Sequence, residues 1–149
     1  MSDSAPAGIA LSDELTTRIN NALSDGFPML VAYVNGEGQA RLSFRGSAHV
    51  HSADQLQFWA RKAEGGVVEG ISSNPKVTIM YRDPSTRTTI FFYGRAHTAT
   101  DPAMIDRIYD ESPEPERNAD PEKKGTGVIV DLDLVQGRTP DGPLNLTRA

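Results

Sequence analysis

Leu11, Leu15, Ile19 and Leu23 recur at every fourth position, the spacing that lines one face of a helix. Ser12 or Asp13 can cap its start, Gly26 can end it, and Pro28 stops it from continuing. Residues 29–34 then form an apolar run that predicts a buried strand, and Asn35-Gly36-Glu37-Gly38 carries the signals of a tight turn. Residues 39–45 alternate, with Ala40, Leu42 and Phe44 on one side and Arg41, Ser43 and Arg45 on the other, so the two segments predict a hairpin. Residues 55–60 predict a short strand with Phe58 and Trp59. A short helix is expected around residues 67–71, closed by Asn74-Pro75. Residues 76–82 alternate again through Val77, Ile79 and Tyr81, and Asp83-Pro84-Ser85 makes the next turn. The β-rich run 88–98 contains Gly94 as an expected bulge or close-approach point.

Asp101-Pro102 reads as an N-cap followed by proline at the first helical position, with Met104, Ile105, Ile108 and Tyr109 as the apolar face. Residues 111–124, rich in proline and charge, are expected to be an exposed loop. The last strand spans residues 126–135, with Val128, Val130, Leu132 and Leu134 facing one way and Asp131 and Asp133 the other. Pro140, Gly142 and Pro143 mark an irregular tail. The expected organisation is a flexible arm at 1–10, one domain at 11–136 and an irregular tail at 137–149. Six antiparallel strands with two or three helices favour a mainly β (α+β) barrel or curled sheet over a parallel α/β fold.

With 149 residues the chain can bury a core of its own. It has no cysteine, which excludes disulfides, thiolate metal centres and thiol catalysis and fits a cytoplasmic home. A formal charge of -5 would repel nucleic acid, yet local cations can still hold a small anion. No apolar run approaches the ~20 residues of a membrane span, and the N-terminus does not read as a signal peptide.

Gln57-Phe58-Trp59-Ala60-Arg61-Lys62, the stretch from Ser72 through Asn74-Pro75 to Tyr81, and Phe92-Tyr93-Gly94-Arg95-Ala96 carry a resemblance. In order and spacing they are similar to an aromatic strand ending in basic residues, an "NP-x-x-apolar" strand and an "apolar-x-G-x-A" strand. Together they resemble the pyridoxamine-phosphate-oxidase-like family of split β-barrels over roughly residues 12–135. The resemblance implies a homodimer that binds FMN, or in some branches the deazaflavin F420, at its interface; a few members bind haem or biliverdin. It also implies that basic side chains on the second strand and after the third hold the cofactor phosphate, which here nominates Arg41, Arg45, Arg61 and Lys62. Arg45-Gly46 stands where the oxidases have a lysine, so the strand-two spacing of the oxidases is not reproduced.

A flavin phosphate needs paired cations or a cluster of backbone N–H donors. Arg41, Ser43 and Arg45 share a strand face, which fits either a ligand or plain solvation. Arg61 and Lys62 precede Gly65-Gly66, which lets backbone approach an anion, and the following helix can offer N–H groups; an ordinary basic turn is the alternative. Trp59 is a candidate for ring stacking as well as for the core. His49 and His51 form an H-x-H pair, but nothing in the sequence brings His97 to them, so no metal is expected. Catalytic residues are not identified. The expected function is a flavin-dependent oxidoreductase acting on a small-molecule substrate, with an F420-dependent reductase or a non-enzymatic flavin-binding dimer as alternatives.

Overall fold

The structure, a computed structural model, describes residues 8–148, so most of the expected N-terminal arm lies outside the described residues. Helix α1 (Asp13–Asn20) begins where Ser12 Oγ accepts from the Leu15 amide at 3.1 Å. It ends at Asn20, three residues before Leu23, and the Asn20 side-chain oxygen accepts from the Val50 amide at 2.8 Å. Strands β1 (Met29–Val34) and β2 (Ala40–Arg45) form the expected hairpin. Next come β3 (His49–Ser52), β4 (Gln55–Ala60), α2 (Gly66–Ser73), β5 (Lys76–Asp83) and β6 (Thr88–Thr98). Helices α3 (Pro102–Glu111) and α4 (Glu114–Ala119) precede β7 (Thr126–Thr139) and β8 (Gly142–Thr147).

All pairings are antiparallel, in the order β2-β1-β5-β6-β7-β4-β3, with β8 also on β7. Strand β7 organises the sheet. One edge pairs with β6 along nearly its whole length, while the other is shared: residues 126–131 take β4 and residues 134–139 take β8. The sheet curls without closing, the α+β split-barrel form expected from the sequence, but it has eight strands and not six.

The two extra strands have identifiable causes. β3 is four residues of His, Val and Ser with no apolar alternation; its pairing with β4 and the Asn20 contact create it. β8 corrects the expectation of an irregular tail. Pro140 and Asp141 are the two-residue loop of a hairpin closed at Thr139↔Gly142, and Leu144 and Leu146 pack on the core. The expected 111–124 loop likewise contains α4, since Pro113 and Pro115 sit at the helix start, where a missing N–H costs nothing.

Met29, Val31 and Tyr33, Val77, Ile79 and Tyr81, Ile90 and Phe92, and Val128, Val130 and Leu132 fill the barrel with Leu56 and Phe58. A second cluster of Trp59, Ile108, Tyr109 and Ile129 lies between α3 and the outside of β4 and β7. Gly94 is the expected close-approach point: a Cβ there would lie 2.3 Å from the Asp131 carbonyl oxygen, at the register shift between β6 and β7. Among the described residues no helix is long and apolar enough to cross a membrane.

Candidate functional site

The β1–β2 register decides which way the second strand faces. Met29↔Arg45, Val31↔Ser43 and Tyr33↔Arg41 are cross-strand partners, so the arginines and Ser43 share the face of the buried β1 residues. Arg45 sits deepest. Its guanidinium lies 5.5 Å from the Phe58 ring centroid, and among the described residues its Nε makes no hydrogen bond. Burial pushes its pKa below the usual arginine value; Tyr33 opposes this, Arg61 adds to it and Glu116 opposes it. Ser43 Oγ is also buried, without a partner among the described residues.

Strand β4 ends at Ala60 and delivers Arg61 and Lys62 to the same mouth, where Gly65 and Gly66 open α2 with φ of 72° and 51°. Those left-handed values are what glycine is needed for, and no atom crowds either Cβ position. The first amides of α2 have no acceptor within the helix and carry its positive end. Arg45, Arg61, Lys62, Gly65 and Gly66 thus line one cleft of about 240 Å³ with Tyr33, Ala60 and Val67.

The other nominated residues lie elsewhere. Arg41 and Ser43 share the inner face of β2 without lining the cleft. Trp59 is only 2% exposed, its indole N–H donates to Asp120 Oδ2 at 2.9 Å, and its ring meets Tyr109 edge-on at 5.1 Å. Alternation along β4 turns it to the α3 side of the sheet, away from Phe58, so it does not line the cleft. His97 pairs with Asp131 at 3.2 Å, whereas His51 Nδ1 contacts Gln57 Oε1 at 2.6 Å. His49 has its pKa lowered by burial, with Glu111 opposing. Among the described residues no group of three or more metal-ligating side chains comes together.

Two features were not anticipated. Glu116 of α4 reaches Arg61, with both carboxylate oxygens 3.3 Å from Nη2. The outer sheet face is apolar as well. Leu42 and Phe44 are 66% and 68% exposed, and the register extends them into two rows, Phe44–Leu30–Met80–Phe91 and Leu42–Ala32–Thr78–Tyr93–Leu134. A cleft of about 650 Å³ on this face is lined by Ala32, Val34, Ala40, Thr78, Tyr93 and Leu134, with Lys76 and Asp133 among its polar groups. Tyr33 borders both clefts.

No family model matches the chain, and no curated protein matches its sequence. Solved structures do. A protein related to general stress protein 26 of B. subtilis (pyridoxinephosphate oxidase family), from Clostridium acetobutylicum, superposes with a TM-score of 0.66 at 10% identity, covering 91% of this chain and 96% of that one. An FMN-binding protein from Syntrophomonas wolfei gives 0.64 at 12% identity over 83% and 86%, and an F420 reductase 0.57 at 18% over 73% and 88%. The inner cation-lined mouth and outer apolar face therefore stand on the split-barrel fold of the pyridoxamine-phosphate-oxidase-like, FMN-binding proteins.

Proposed function

We propose that this chain is a cytoplasmic homodimer that binds FMN, holds the cofactor phosphate in the Arg45–Arg61–Lys62 cleft, and acts as a flavin-dependent oxidoreductase on a small organic substrate. The observation that carries the reading is the convergence of three cations from β2 and the end of β4 on the glycine-opened start of α2. The residues fit the group: Arg45 Nε is a buried donor without a partner among the described residues, and Gly65 and Gly66 leave room for an anion against backbone N–H groups. Bound flavin would supply the hydride or electron chemistry. The protein's part is to fix the phosphate with Arg45, Arg61 and Lys62 and so orient the rest of the molecule. The apolar rows of the outer face support the dimer, since exposed patches of this kind mark interaction surfaces.

The likeness to an F420 reductase supports a second reading, in which the same cations hold the phosphate of a deazaflavin. Without turnover, the site would serve a flavin-binding or sequestering dimer. The test is fluorescence titration of the purified protein with FMN, riboflavin and F420. FMN should bind far more tightly than riboflavin, and Lys62→Ala and Arg61→Ala should each weaken FMN about tenfold or more while leaving riboflavin unchanged. Equal affinities for FMN and riboflavin in the native protein would remove the phosphate assignment.

A further inference from the structure

A carboxylate stands beside the cleft, on one of the arginines that line it. Glu116 is 17% exposed and directed at Arg61, and its charge also reaches Arg45. Its seat is shaped for it: a Cβ on Gly46, next to Arg45, would lie 2.8 Å from Glu116 Oε2. The short helix that presents it is fastened on both sides. Tyr109 Oη lies 3.0 Å from the carbonyl oxygens of Arg117 and Asp120, and the Arg117 guanidinium donates back to the Ser112 carbonyl. Asp120 then accepts from the Trp59 indole and from the Lys124 and Gly125 amides at 2.8–2.9 Å. An anchored frame thus delivers one carboxylate to a cluster of cations.

Its grip is loose by comparison. Both Arg61–Glu116 contacts are 3.3 Å, whereas tight charge-assisted pairs sit at about 2.7–2.9 Å. We propose that Glu116 is a tethered counter-ion of the phosphate cleft, occupying Arg61 until a ligand phosphate displaces it. The proposal rests on the reading of this cleft as a phosphate site. A resident carboxylate offsets part of the cations' charge and weakens every incoming anion, the dianion more than the monoanion. The consequence is an exchangeable cofactor in place of a permanently held one.

The test uses the intact protein at pH 8, with methyl phosphate as a dianion, methyl sulfate as its isosteric monoanion, and FMN and riboflavin, each followed by calorimetric titration. Glu116→Gln should bind methyl phosphate and FMN about tenfold more tightly, gain less for methyl sulfate, and leave riboflavin unchanged. Gly46→Ala, which crowds the carboxylate out of its seat, should move affinities the same way. In an Arg61→Gln background most of the gain from Glu116→Gln should vanish. Unchanged or weaker phosphate binding in Glu116→Gln would overturn the proposal, because the carboxylate would then be inert or would be positioning Arg61 for the ligand. A methyl phosphate gain without FMN binding would sink the flavin reading and leave the counter-ion standing. Methyl phosphate binding to none of the proteins would sink both.

Discussion

Asp120→Asn is the substitution whose cost the structure specifies most closely. The native carboxylate is buried and accepts three bonds: Oδ2 takes the Trp59 indole N–H at 2.9 Å and the Gly125 amide at 2.8 Å, and Oδ1 takes the Lys124 amide at 2.9 Å. An asparagine has one acceptor oxygen. Placed at Oδ2 it keeps two of the bonds but turns its NH2 group against the Lys124 N–H. Leaving this partly buried donor unpaired costs about 1–3 kcal/mol, and a bond to a charged group loses about 1 kcal/mol when the charge is removed. One orphaned donor and two weakened bonds give about 3–5 kcal/mol, a large part of the stability of an ordinary domain. A chain of this size should lose about 2–4 °C of Tm per kcal/mol, hence roughly 6–20 °C. Trp59 is the single tryptophan, so its emission follows both the local contact and global unfolding in one urea titration. The native-state emission should change and the midpoint should fall with the slope unchanged. A midpoint shift equivalent to less than about 1 kcal/mol would show that the Asp120 contacts are replaced by water at no cost, and the anchoring of α4 would have to be abandoned.

Gly94→Ala should destabilise by more than about 3 kcal/mol in urea unfolding, because its methyl would meet the Asp131 carbonyl oxygen of the neighbouring strand at 2.3 Å, where neither backbone can yield. Replacing Leu42 and Phe44 together by glutamate should convert the proposed dimer to monomer in sedimentation velocity with the fold intact by circular dichroism; a native chain that sediments as a monomer would refute the outer-face interface. Stability should fall as pH drops below about 4. Asp83 is held low by its Ser85 bond and Asp133 by its bond from Arg95. In Asp120, burial, which would raise the pKa, is outweighed by bonds from Trp59, Lys124 and Gly125. Carboxylates depressed in the folded state contribute stability fully above their unfolded pKa and lose it as pH falls through the folded value, so urea midpoints should decline toward pH 2, less steeply in Asp120→Asn.

The cleft was partly legible in advance. Arg61-Lys62 followed by Gly65-Gly66 places cations, flexible backbone and a helix start within a few residues, and the structure keeps them together because their proximity is local. Arg41 and Arg45 were nominated by the family resemblance and placed on one face by strand alternation, yet only Arg45 lines the cleft: it ends β2 beside Phe58 and Arg61, four residues along the strand from Arg41. Trp59 illustrates what is not local. Phe58 and Trp59 point to opposite faces, and nothing local says which face has a helix over it. Glu116 gave no signal at all, since a Pro-Glu-Pro-Glu segment reads as a solvated loop until α4 is anchored by Tyr109, Asp120 and Trp59.

Periodicity along the chain determined the two-sidedness of the strands, the caps of α1 and α3, and the turns at Asn35-Gly36 and Asp83-Pro84, because each depends on neighbours within a few residues. Tertiary pairing alone decided that β3 and β8 are strands, that Leu42 and Phe44 lie on an outer face, and that a carboxylate from residue 116 reaches a guanidinium at residue 61. Those outcomes depend on backbone edges and side chains that are distant in sequence and meet only when β7 divides one of its edges between β4 and β8.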